Sequence, residues 1–175
     1  MQKLNFIFIL AIFILTTLFF NGEAFAMELS SSAFLNNSTI PANYTCDKEN
    51  ISPPLAWKDA PIGTRTFALI VDDPDAPRGT WTHWVLYNLP ADTMSLAENV
   101  KTLPAETKIG INSWGKQEYG GPCPPSGEHR YFFKLFAIDI SLESKKPLTS
   151  ETLTDAMQGH ILENVEIIGR YTKHR

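Results

Sequence analysis

The chain has 175 residues, with 15 Lys and Arg against 19 Asp and Glu and a formal net charge of −4. That mild acidity, without any block of basic residues, argues against nucleic acid or an anionic membrane surface as partner. The length suits one domain burying roughly two-thirds of its unfolded surface.

Met1-Gln2-Lys3 leads into an apolar run over residues 4–20, and Ala24-Phe25-Ala26 follows. One positive charge, an apolar stretch and a small-x-small site together read as a secretory signal peptide over residues 1–26. The competing reading is an uncleaved anchor, because the run is near the roughly 17-residue minimum for spanning a bilayer. No Cys follows the cleavage site, which argues against a lipoprotein, and no later stretch is apolar enough to span a membrane. The expectation is a periplasmic or secreted protein whose mature chain, residues 27–175, is a single domain. Cys46 and Cys123 are its two cysteines. In an oxidising compartment they are most economically a disulfide, with two separate buried thiols as the alternative.

Residues 29–44 are polar and turn-rich. Asn36, Asn37, Asn43 and Asn50 each head an N-x-S/T triplet, a glycan acceptor in a eukaryotic secretory protein and a plain loop residue in a bacterium. Residues 51–57, with Pro53-Pro54, read as an extended edge segment, since consecutive prolines cannot donate to a ladder. A turn over residues 59–63 precedes the stretch that organises the chain, LIVDDPDAPRGTWTHWVLYNLP at residues 69–90. It opens as a buried strand, breaks at an acid-proline turn and resumes as a strand over residues 82–88. Side chains alternate along an extended backbone. Asp73 and Asp75 therefore point the same way if Pro74 keeps that segment extended, and His83 shares a face with Val85 and Tyr87.

Residues 91–108 show little periodicity. Residues 110–127, GINSWGKQEYGGPCPPSG, are too rich in Gly and Pro for a helix and form a loop. The fragment beginning at Gly110 approaches a phosphate-loop signature but has Gln117 where that motif needs Ser or Thr, and the Gly-Gly-Pro beyond denies it a helix. Residues 129–138 are an aromatic-rich strand with His129, Tyr131, Phe133 and Leu135 on one face. Thr149 or Ser150 caps a helix running to about Asn164, with Leu153, Met157 and Ile161 on one side and His160 as a structural or exposed residue. Residues 165–171 alternate as a last strand. The pattern predicts a mainly β, α+β domain with one main helix.

Asp73, Asp75, His83, His129 and Tyr131 all fall where a strand meets a loop, so the hairpin and the Gly/Pro loop bring them to one rim. A His/Asp metal site has suitable ligand types but lacks a compact ligand spacing. A hydrolase using Ser113 or Ser126 lacks a G-x-S-x-G elbow, and Cys123 as a nucleophile conflicts with its expected disulfide. An anion pocket fits best: imidazole, phenol and loop N–H groups donate to phosphate or carboxylate. The aspartates would then bond the imidazoles and favour their protonated form, or meet the ammonium of a zwitterion such as phosphoethanolamine. No cofactor, metal ion or catalytic residue is assigned.

These residues resemble the phosphatidylethanolamine-binding protein family in its bacterial Raf-kinase-inhibitor-like branch. The matching segments, in order, are Asn50-Ile-Ser-Pro-Pro-Leu-Ala-Trp57, Asp73-Pro-Asp-Ala-Pro77, Trp81-Thr-His-Trp84, Gly121-Pro-Cys-Pro-Pro-Ser-Gly127, His129-Arg-Tyr131 and Ala156-Met-Gln-Gly-His-Ile-Leu162. The resemblance implies a large antiparallel sheet packed with a smaller one, a few helices and a small surface cavity for phosphate-like anions. Carried over by position, the cavity would use Asp73, Asp75, His83, His129 and Tyr131, with backbone near Cys123 and Pro125. Eukaryotic members have His-His where this chain has Thr82-His83, and often Gly where it has Cys123. The resemblance carries no kinase regulation to an exported protein. The resulting expectation is a non-catalytic binding protein for a small anion, phosphate or a phosphorylated headgroup. An inhibitor or interaction protein acting on a protease or kinase through the pocket loops is the first alternative, and a hydrolase the second. A protein partner and a homodimer are left open.

Overall fold

The structure, a computed structural model, describes residues 26–173. The signal-peptide reading therefore lies almost wholly outside the described residues. In chain order the strands are β1 (Glu28–Ser30), β2 (Ser38–Thr39), β3 (Leu55–Lys58), β4 (Thr66–Asp73), β5 (Trp81–Pro90), β6 (Ser95–Leu96), β7 (Lys108–Ile109), β8 (Glu128–Ile138) and β9 (Ile161–Thr172). The helix α1 (Ser150–Met157) lies between the last two, and a short 3-10 turn covers Ala42–Tyr44. No helix among the described residues is long and apolar enough to cross a membrane.

Six strands form one sheet in the order β2-β9-β8-β4-β5-β7, and three form a second in the order β1-β3-β6. β4 is central to the larger sheet and buried along its whole length, because both of its faces are covered. Phe67, Leu69 and Val71 face the small sheet, in a core shared with Leu29, Trp57, Phe133 and Leu135. Ala68 and Ile70 face the other way, against Leu153 and Met157 of α1. A strand covered on both sides needs a continuous apolar run, which residues 67–71 supply. β8 shows the other signature: His129, Tyr131, Phe133, Leu135 and Ala137 are buried, alternating with more exposed neighbours, as a strand with one core face requires.

Three elements depart from the sequence expectation. The Pro-Pro segment leads not to an edge but to β3, the middle strand of the small sheet. Its prolines precede the first ladder residue, Leu55, so no ladder donor is lost. The helix stops at Met157 rather than near Asn164. Gly159 takes φ 79 and ends it, the left-handed position that glycine fills most cheaply. The residues beyond then join β9, where pairing with β8 from Ile138 to Glu128 satisfies their backbone groups. Ile161 and His160 thus leave the helix, and His160 pairs with Asp139 on the surface at 2.9 Å.

Candidate functional site

The ladder between β4 and β5 slips twice, once between Phe67 and Leu69 and again near the turn. Asp73 opposes Trp81 and Asp72 opposes Thr82, while Val71 opposes Trp84. His83 is the extra residue of a β-bulge, a device that re-aims a side chain. Thr82 Oγ1 reaches Ser150 Oγ of α1 at 2.8 Å on one face. His83 and Trp84 both turn to the other, where they meet Tyr131 and Tyr119 respectively. Strict alternation, which groups His83 with Val85 and Tyr87, fails here by one residue. Val85 and Tyr87 pack in the helix-side core instead.

The outer edge of the bulge is held by the Gly/Pro loop rather than by a strand. Ser113 N–H donates to Thr82 O at 2.9 Å and Gly120 N–H to His83 O at 3.0 Å. His83 Nδ1–H donates to Gly120 O at 2.6 Å. The loop is in turn fixed to the segment around Cys46. Gly121 N–H donates to Asn50 Oδ1 at 2.7 Å, Cys46 N–H to Pro122 O at 3.1 Å, and the Cys46–Cys123 disulfide closes the contact with Cα atoms 5.4 Å apart. Gly121 has to be glycine, since a Cβ there would sit 2.3 Å from Tyr44 O.

His129, near the start of β8, is fixed by the sheet. Its Nδ1–H donates to Asp73 Oδ2 at 2.7 Å, with both side chains buried. The other oxygen of Asp73 accepts from Asp75 N–H at 2.9 Å. Asp75 itself is gripped by Arg130 through the backbone N–H, Nε and Nη2. This bidentate contact with Arg130 holds the Asp75 carboxyl down at about 2.

A cavity of about 590 Å³ opens between the two histidines and the loop. Of the expected site residues, Asp73, His83, Cys123, Pro125 and His129 line it. Asp75 and Tyr131 stand behind that lining. Tyr131 is buried and stacks edge-on to His83, with ring centroids 5.2 Å apart. Its hydroxyl, closed off from solvent, has Asp73 and the Cys123 backbone as polar neighbours but makes no well-formed hydrogen bond. Burial, then the Asp73 charge, hold its phenol well above the ordinary value, so it is a neutral group. Asn50, Asn112 and Trp114 also line the cavity, a role their loop positions in the sequence do not announce. A large aromatic within a Gly-rich loop is the one available signal for Trp114; Asn50 acts on Gly121, 71 residues away, whereas Asn112 bonds only within its own loop.

Burial dominates the electrostatics of His83 and pushes its imidazole below the usual histidine value, outweighing the carbonyl contact with Gly120. This differs from the expectation of two imidazoles kept charged by aspartates, because His83 is partnered by a carbonyl and shielded by Trp114 and Tyr131. With Nδ1 of each ring committed to the wall, Nε2 is the nitrogen left for a ligand. Among the described residues no group of three or more His, Cys, Asp or Glu is placed to hold a metal ion.

Fold and site together define a two-sheet, β-rich protein with a ligand-sized cavity at the strand ends, built from a hairpin, a bulge and a stapled loop. A family model for phosphatidylethanolamine-binding protein matches residues 30–172. A UPF0098 protein of Methanothermobacter thermautotrophicus is 47% identical over 150 residues, covering 84% of this chain and 99% of its own. One from Aquifex aeolicus is 45% identical over 159 residues, covering 88% and 93%. Among solved structures, CT736 of Chlamydia trachomatis, described as a homologue of phosphatidylethanolamine-binding protein, superposes with a TM-score of 0.80 at 40% identity, covering 85% of this chain and 99% of its own. YbcL of E. coli, described as a member of the mammalian family, gives 0.79 at 27% identity with the same coverage. The chain belongs to the phosphatidylethanolamine-binding protein family.

Proposed function

We propose that this is an exported, non-catalytic binding protein whose cavity takes a phosphate-like anion between His83 and His129. One observation carries the reading: each imidazole has Nδ1 tied to an acceptor in the wall, leaving Nε2 as its remaining donor position in a shared cavity. The anion would receive a hydrogen bond from each ring, and His83 would take up a proton as it binds. Arg78 adds a cation to the lining. Both oxygens of Asp73 already accept hydrogen bonds, so the negative end of a ligand is favoured over an ammonium at this position.

Calorimetric titration with inorganic phosphate and phosphoethanolamine at pH 6 and pH 8 tests this. Tighter binding is expected at pH 6, and His129→Ala should weaken it by roughly tenfold or more, the loss of one charge-assisted hydrogen bond. Absence of binding at pH 6 overturns the reading.

A further inference from the structure

We infer that the protein carries a second binding site on the opposite, helix-side face of the large sheet, and that its ligand is a neutral polyhydroxylated molecule: a sugar ring, as a chemical class. The site does not depend on the anion reading above, since the linings of the two cavities share only Asn112.

The sheet makes the separation. Alternation along β4 sends Asp73 to His129 on one face and turns Asp72 to the other. The bulge in β5 does the same with its neighbours, His83 facing the first cavity and Thr82 facing α1. On the Asp72 side a cavity of about 700 Å³ opens between β4, β5, β8, the loop at Ser113 and the first turns of α1. Its size is in the range that encloses small-molecule ligands.

The lining is rich in hydroxyls, from Thr80, Thr82, Ser113, Thr149, Ser150 and Thr154. A hydroxyl both donates and accepts, and the wall leaves some of that capacity unused. Ser113 Oγ accepts from Thr82 N–H at 2.8 Å, and its own proton has no acceptor among the described residues. Thr82 Oγ1 and Ser150 Oγ lie 2.8 Å apart; one proton occupies that contact and the other remains to be donated. Lys134 Nζ reaches Asp72 Oδ2 at 2.8 Å, with the Asp72 side chain only 9% exposed. That bond uses one of the three ammonium N–H groups. Asp72 Oδ1 is buried with no hydrogen-bond partner, an unmet acceptor of the kind that a ligand hydroxyl satisfies.

Charge decides the class. Asp72, Glu151 and Asp155 set three carboxylates against the single ammonium of Lys134, so an anion is repelled. An organic cation would sit against Lys134 and leave the donor hydroxyls without acceptors. A neutral polyol answers donors and acceptors alike, and Ile70, Ile111 and Phe136 offer an apolar patch to its C–H face.

Amide NMR titration of the intact protein tests this with methyl glucoside, methyl galactoside, N-acetylglucosamine and lactose, alongside ethylammonium and inorganic phosphate. At least one sugar should shift the Lys134, Ser150 and Glu151 amides saturably, with a dissociation constant of about 1 mM or below, while the His83 and His129 ring signals stay in place. Replacing the pair together, Asp72→Asn with Lys134→Met, strands no buried charge and should weaken the sugar roughly tenfold or more. Thr154→Trp, at an exposed helix position on the rim, should block the sugar and leave the melting temperature nearly unchanged. No saturable shift from any of the four sugars overturns the site. Shifts confined to Gly120 and His129, or sugar affinity unchanged in both variants, overturn its placement. A stronger response of the Lys134, Ser150 and Glu151 amides to ethylammonium or phosphate overturns the ligand class.

Discussion

The two histidines of the cavity are mounted in opposite ways. His129 stands on a ladder that pairs residue by residue with β9 from Glu128 to Ala137, and its partner Asp73 ends the adjacent strand. His83 stands on a bulge, and its partner is a carbonyl of an irregular loop. The first mount forms with the sheet and is lost only with it. The second depends on a few local ties, the disulfide, the Asn50 contact and the Tyr119–Tyr44 bond at 2.8 Å, and local ties can open without global unfolding. A pocket built this way has one fixed jaw and one whose position is set separately from the fold.

Removing the disulfide should break that comparison most forcefully. The bridge spans 77 positions of sequence, so Cys46→Ser combined with Cys123→Ser should cost roughly 4–5 kcal/mol in the chain-entropy model, seen as a lower urea midpoint. Beyond that global loss, hydrogen exchange at the Gly120 and Gly121 amides should accelerate, while the amides of β8 follow only global stability. Equal acceleration at both mounts would mean that the fixed and adjustable jaws are not distinct. The converse experiment is Asp73→Asn, which weakens charge-assisted bonds on the His129 side. A loss of about 2 kcal/mol is expected, with the Gly120 and Gly121 amides unchanged relative to the global value.

The same division governs what could be read from the sequence. The apolar run of β4 and the alternation of β8 announce both strands, and of the two caps the sequence offers, Thr149 and Ser150, Thr149 is the one used. His129 followed from alternation alone. The face on which His83 lies did not, because an inserted residue in a strand leaves no trace in a pattern of period two. The end of the helix was missed because Ile161 continues the four-residue spacing by coincidence, while Gly159 carried the true signal. Asn50, 71 residues from the glycine it holds, acts through a long-range contact that no local pattern encodes.

A third prediction concerns charge. Burial places the His83 imidazole below its ordinary value, so the unfolded chain binds its proton first. Its contribution to stability is therefore complete above the unfolded value of about 6.5 and declines as pH falls through the lower folded value. In NMR titrations the His83 ring should change protonation below the usual histidine range. Phosphate binding at pH 7 should be accompanied by uptake of up to about one proton, measured by calorimetry in buffers of different ionisation enthalpy. Binding without proton uptake would show that His83 accepts or stands aside, leaving His129 as the working jaw.

The smallest effect should come from Arg130→Ala, which touches the fixed jaw indirectly. Arg130 holds Asp75, and Asp75 N–H in turn donates to the carboxylate that orients His129. The Asp75 carboxyl sits at about 2 in the folded protein against 3.8 ordinarily. Its stabilising contribution is thus present above 3.8 and is lost as pH falls through about 2. Both side chains are partly exposed, so water screens the pair and the effect is small; the backbone N–H of Arg130 also survives the substitution. The urea midpoint should fall by a few tenths molar at most near neutral pH, with the two proteins converging as the pH approaches 2. Parallel curves over that interval would show that the Arg130 side chain does not hold the turn. In ring-proton NMR at neutral pH, the His129 signals should move and those of His83 should stay in place, because the path from Arg130 runs through Asp75 and Asp73 and never enters the loop.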